Sequence, residues 1–123
     1  MTVNPAGILI ADDDPEIRAV LRRSLAAPDR KILEAADGAA TLELARAARP
    51  AIILLDIYMP ERDGVSVLKE LAPEMPGTGF IMITGNEDEE VARECLEFGA
   101  FDYITKPINL DILQKIIKRR LRP

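Results

Sequence analysis

The chain has 123 residues, 48% of them hydrophobic and 30% charged, with a formal charge of -5 and no histidine. That length and balance suit one globular domain with a single ordinary core, in which roughly two thirds of the unfolded surface is buried. The composition excludes histidine-based triads, His-ligated zinc and a phosphohistidine carried by this chain, and a lone cysteine, Cys95, excludes an internal disulfide.

The charge is unevenly placed. Residues 115–123 carry five basic side chains and no acidic one, which leaves 11 basic against 21 acidic in the preceding 114 residues, a net of -10. An acidic body disfavours nucleic acid as a partner, and a basic helix end is what the helix dipole favours. No apolar run approaches the about 20 residues needed to span a bilayer, and no signal-like segment opens the sequence, so a cytoplasmic location is expected.

In chain order, "GILIA" (7–11) reads as a strand, followed by a helix over "DPEIRAVLRRSLAA" (14–27). Asp14 is its cap, Pro15 suits its first turn, and Ile17, Val20, Leu21 and Leu25 form an apolar stripe. "RKILEA" (30–35) is a second strand, and "DGAATLELARAARP" (37–50) a helix stopped by Pro50. "AIILL" (51–55) is apolar throughout, as expected of a central strand covered on both faces, and ends at Asp56. "GVSVLKELAPE" (64–74) is a helix that Pro73 and Pro76 are expected to break, with Gly64 at its start and Arg62 and Asp63 before it as solvated loop charges.

"GFIMIT" (79–84) is the fourth strand, and "EDEEVARECLEF" (87–98) a helix whose acidic start matches the positive end of its dipole. Gly99 is expected to close it in a left-handed conformation, with Cys95 a small buried hydrophobe and Met59, Met82, Phe98 and Phe101 as packing. "AFDYIT" (100–105) and "NLDILQKIIKRRL" (109–121) complete the pattern, with Asn109 as cap and Leu110, Leu113, Ile117 and Leu121 facing inward. Strands alternating with helices predict right-handed crossovers and a doubly wound parallel α/β sheet.

Ligands of such sheets bind beyond the carboxyl ends of the strands. There the sequence places Asp12 and Asp13, then Asp56, Thr84 and Lys106. Three carboxylates without histidine or cysteine make a hard, all-oxygen site suited to Mg²⁺ or Mn²⁺. Two unit charges about 5 Å apart interact by roughly 3 kcal/mol at an effective dielectric of 20, so such a cluster calls for a divalent ion and the lysine. Taken alone, "DDD" reads equally well as turn and cap aspartates. The further Asp, Thr and "KP" at successive strand ends make coincidence a poor account.

Through "ILIADDD", "PAIILLDIYMPERDG", "IMITG" and "EFGAFDYITKPIN", in that order and spacing, the chain resembles the receiver domain of bacterial two-component response regulators. The resemblance covers residues 7–121 of a single domain, 1–123, whose basic end is either a terminus or the start of a linker. It implies a flavodoxin-like three-layer sandwich with five helices and strand order 2-1-3-4-5. It also implies that Asp56 accepts a phosphoryl group from a phosphohistidine on a sensor kinase or phosphotransfer protein.

Asp13 would then ligate Mg²⁺, with Asp12 joining directly or through water, and Asp56 and the backbone carbonyl of Tyr58 would complete the protein's ligands. Thr84 and Lys106 would meet phosphoryl oxygens, and Pro107 would follow through a cis peptide bond. Thr84 and Tyr103 would form the switch that alters the face of the fourth helix, fifth strand and fifth helix, where an output domain or docking protein binds. Tyr58 and Asn86 would tune the lifetime of the phosphoryl group. Asp14 is a cap in this reading, and dimerisation through the switched face is compatible with it.

Such a domain catalyses its own phosphorylation and dephosphorylation without turning over a separate substrate. Two alternatives stand beside it: a Mg²⁺-dependent phosphohydrolase built on Asp56, and a pseudo-receiver that binds partners without phosphorylation. The related phosphohydrolases need an acidic group two residues beyond the nucleophile, where this chain has Tyr58.

Overall fold

The computed structural model describes residues 6–60, 62–85 and 88–121. Its elements alternate throughout: β1 (Ala6–Ala11), α1 (Pro15–Leu25), β2 (Arg30–Ala35), α2 (Gly38–Ala48), β3 (Ile52–Asp56), α3 (Gly64–Glu74), β4 (Gly79–Thr84), α4 (Glu89–Glu97), β5 (Asp102–Thr105) and α5 (Leu110–Leu121). All strand pairs are parallel, in the order β2-β1-β3-β4-β5. The flavodoxin-like arrangement is therefore present, and the order reverses beside β1, where a crevice opens between the ends of β1 and β3.

The alternation of side chains along each strand divides the core in two. Leu9, Ile53, Leu55 and Met82 pack with α2, α3 and α4 on one face, and Ile8, Ile10, Leu54 and Ile104 pack with α1 and α5 on the other. Every residue of β3 is buried, as its unbroken apolar run predicts. Cys95 lies wholly inside the first core, where burial pushes its thiol up.

Four helices begin on a side-chain cap, those at Asp14 and Asn109 as the sequence predicts. Asp14, Asp37 and Asp63 each accept an N–H from the first turn of α1, α2 and α3, and Asn109 does so for α5. Gly99 has φ +109° just after α4. Arg49 closes α2 with φ 48° ahead of Pro50.

Several expectations need correction. Pro73 does not break α3: it sits in the last turn, where one lost bond is outweighed by the burial of Val67, Leu68 and Leu71, and the Met75 N–H still reaches Leu71 O at 2.9 Å. Asp63 is a cap rather than a solvated charge, and Arg62 is held by Glu70 and Ser66. Val20 is exposed instead of joining the buried stripe. Phe98 is also exposed, its ring lying 4.5 Å from the Lys69 ammonium, so it is a surface cation–π contact rather than packing.

Candidate functional site

Parity along the strands gathers the site. Ile10, Leu54 and Ile104 face the α1/α5 core, and two residues beyond each come Asp12, Asp56 and Lys106, on the same side of the sheet. The Lys106 ammonium lies 3.2 Å from Asp56 Oδ2 and 3.5 Å from Asp12 Oδ2. Carboxylate oxygens of Asp12, Asp13 and Asp56 all fall within 4.8 Å of one another. Asp13 is exposed at the mouth while Asp12 is buried, and Asp14 turns away to its cap. Of the three neighbouring carboxylates at "DDD", only that of Asp14 leaves the cluster, while those of Asp12 and Asp13 stay close to each other and to Asp56.

The remaining polar atoms fix the geometry. The Asp14 N–H donates to Asp12 Oδ1 at 2.9 Å, the Tyr58 N–H donates to Asp56 Oδ1 at 3.2 Å, and Arg18 holds the Asp12 carbonyl at 2.7 Å. Asp12 Oδ2 is buried and makes no hydrogen bond among the described residues, its contact with Lys106 being a longer ion pair. An orphaned carboxylate oxygen facing two further carboxylates fits a divalent cation, and the all-oxygen donors suit a hard one.

Asp56 is only 4% exposed. Burial and then the Asp12 charge push its carboxyl up to about 6, against the opposing pull of Lys106 and the Tyr58 N–H. Burial draws Lys106 down, but the Asp56 and Asp12 charges outweigh it and leave the ammonium raised. Both effects mark a site with more negative charge than one lysine neutralises.

Thr84 ends β4 on the opposite face, two residues beyond Met82, and its buried hydroxyl has no hydrogen-bond partner among the described residues. Tyr103 pairs with Met82 across β4 and β5 and is half-buried against the same core. Lys106–Pro107 is cis. Tyr58 is 61% exposed, and Asn86 lies outside the described residues. Two contributors escaped the sequence reading: Arg18, which looks like one more charge on α1, and Asp88, whose phenol contact with Tyr58 is legible only in three dimensions.

The family model for the response regulator receiver domain matches residues 8–118. Regulatory protein AtoC of Escherichia coli is 38% identical over 115 residues, covering 94% of this chain and 25% of AtoC. DNA-binding transcriptional regulator NtrC of Escherichia coli is 33% identical over 114 residues, covering 93% of this chain and 24% of NtrC. Among solved structures, the receiver domain of NtrX from Brucella abortus superposes with a TM-score of 0.86 at 29% identity, covering 93% of this chain and 97% of that one. This chain belongs to the response regulator receiver domain family, and Asp12, Asp13, Asp56 and Lys106 form the cluster of its phospho-accepting site. It spans about a quarter of the length of AtoC and NtrC.

Proposed function

We propose that the chain is a single receiver module in which Asp56 takes a phosphoryl group from a phosphohistidine of a sensor kinase or phosphotransfer protein. The observation that carries this reading is the buried Asp56 carboxylate, 3.2 Å from Lys106 and within reach of two further carboxylates at the open end of the sheet. One Asp56 oxygen attacks phosphorus, the P–N bond breaks, and its electron pair leaves on the imidazole nitrogen. Lys106 stabilises charge on a phosphoryl oxygen, and the Tyr58 N–H holds the Asp56 carboxylate in place. Asp12, Asp13, Asp56 and the Tyr58 carbonyl would hold Mg²⁺, which when bound supplies positive charge to the phosphoryl oxygens.

An apolar groove of about 360 Å³ runs beside this site, lined by Ile17, Val20, Leu21, Pro107 and Ile108. Its place next to Lys106 and the exposure of Val20 favour it as the seat of the phosphohistidine donor. We place the exchange in the cytoplasm; among the described residues no helix is long and apolar enough to cross a membrane. AtoC and NtrC are named as regulators, and NtrC as a DNA-binding one, which supports an output that lies outside this domain.

Transmission would run through Thr84 and Tyr103. Attraction of the unpartnered Thr84 hydroxyl to the phosphoryl group would vacate space on the face it shares with Tyr103, changing the surface of α4, β5 and α5. Thr84→Ala is expected to keep phosphorylation but lose the phosphorylation-dependent shift of the Tyr103 ring signals in NMR. An unchanged shift would remove Thr84 from the switch.

The central test is mass measurement after incubation with Mg²⁺ and acetyl phosphate. The expected result is a gain of one phosphoryl group, abolished by Asp56→Asn and by chelation of the metal. A gain that persists in Asp56→Asn would place the chemistry elsewhere, and repeated turnover of a small phosphoester would favour the phosphohydrolase reading.

A further inference from the structure

Asp88 stands at the N-cap of α4, yet its side chain accepts nothing from the helix. The other three aspartate caps, Asp14, Asp37 and Asp63, have extended backbones and accept first-turn N–H groups at 2.9, 2.7 and 2.8 Å. Asp88 has φ -108° and ψ 29°, outside that conformation. Its Oδ1 instead accepts the phenol O–H of Tyr58 at 2.7 Å, while Oδ2 lies over Gly85, where an added Cβ would meet it at 3.0 Å.

The pairing joins the segment after β3 to the start of α4, 30 residues on. Tyr58 is tied at both ends, its N–H to Asp56 Oδ1 and its O–H to Asp88 Oδ1. A side chain so held extends from the residue two beyond the phosphoacceptor to the start of α4.

We propose that Asp88 is a positioning residue for the phosphoryl chemistry: its carboxylate is diverted from the α4 cap to anchor the Tyr58 ring across the path of hydrolytic water. Loss of the phenol contact returns the carboxylate to the first turn of α4. The inference rests on Asp56 carrying the phosphoryl group. In hydrolysis a water oxygen bonds to phosphorus, the bond between phosphorus and the Asp56 oxygen breaks, the electron pair returns to the carboxylate, and the water proton goes to solvent. Access for that water is what the anchored ring restricts.

Two measurements on the intact chain test this. With saturating Mg²⁺ and labelled acetyl phosphate, Asp88→Ala and Tyr58→Phe should each hasten loss of label by about fivefold, the worth of one ordinary hydrogen bond. The double variant should lose it no faster than either single one. Asp88→Asn, which keeps an acceptor oxygen without the charge, should retain the wild-type lifetime. Unchanged lifetimes in Asp88→Ala, or independent effects of the two substitutions, would overturn the proposal.

Without phosphorylation or metal, Tyr58→Phe should raise hydrogen-exchange protection of the Glu90 and Val91 amides about fivefold, as the freed carboxylate caps α4. Adding Asp88→Ala should erase that gain, and a Tyr58→Phe protein with unaltered protection overturns the cap exchange outright. A wild type that takes no label while the gain is present would instead overturn the Asp56 reading, and the positioning role with it.

Discussion

At the scale of single residues, Asp56 is a group the fold holds at a cost. Its carboxyl titrates near about 6 in the fold against 3.8 ordinarily, because burial and Asp12 oppose its charge more than Lys106 favours it. Between those values the folded state holds a proton that the unfolded chain has released, so stability falls as pH rises from about 4 to about 6. The metal-free domain therefore lacks, at pH 7, about 2–3 kcal/mol that a neutral group in that place would leave intact. Asp56→Asn is expected to stabilise the metal-free protein by that order in urea unfolding at pH 7, with the difference closing as pH falls through 6 toward 4. A difference that stays constant across this range would mean the carboxylate is not destabilised in the native state. Lys106 shows the complementary logic, since its ammonium is favoured by the same two carboxylates. Function thus occupies a place where the fold concentrates negative charge that one lysine does not balance.

At the scale of elements, the site depends on how tightly α3 is seated under β3. The Gly64 N–H donates to Ile57 O at 2.7 Å, and a Cβ at position 64 would lie 2.1 Å from the Asp56 carbonyl oxygen. Because that contact is backbone against backbone, Gly64→Ala must shift Asp56 itself. It is expected to cost about 2–3 kcal/mol in chemical denaturation and to slow phosphorylation by acetyl phosphate; a variant as stable and reactive as wild type would show that α3 can move without Asp56. The sequence pattern predicts Gly64 as a helix start but not this crowding, which exists only once β3 and α3 are packed. The same division recurs elsewhere. Strands β2 and β4 and the caps at Asp14 and Asn109 are legible because turn chemistry and apolar runs act locally. Pro73 inside α3, the exposure of Val20 and Phe98, and Arg62 on Glu70 are not, because each is decided by what a neighbouring element places opposite it. Asp88 belongs with these: its acidity and place before α4 are readable, while its contact with Tyr58 joins residues 30 apart.

At the scale of the whole molecule, the parallel sheet brings the ends of β1, β3 and β5 to one edge, with a packed core on each of its faces. Asp12, Asp56 and Lys106 reach that edge on the α1/α5 side and Thr84 on the other, so the site stands on the seam between the two cores. A ligand bound there engages strand ends from across the sheet and stabilises the fold as a unit. Binding of Mg²⁺ to the folded state alone, at ten times its dissociation constant, should add about 1.4 kcal/mol. For a domain of this size the melting temperature should then rise by about 4–6 °C, readable by scanning calorimetry. Asp13→Ala should remove most of that rise, because its exposed carboxylate faces Asp12 and Asp56 without serving a helix. Asp14→Asn should leave the rise intact, since the side chain at that position caps α1 and an asparagine caps about as well. Equal losses in the two variants would mean that the acidic run attracts the cation only as a diffuse charge, and an unshifted wild type would mean that the orphaned Asp12 oxygen is not a ligand.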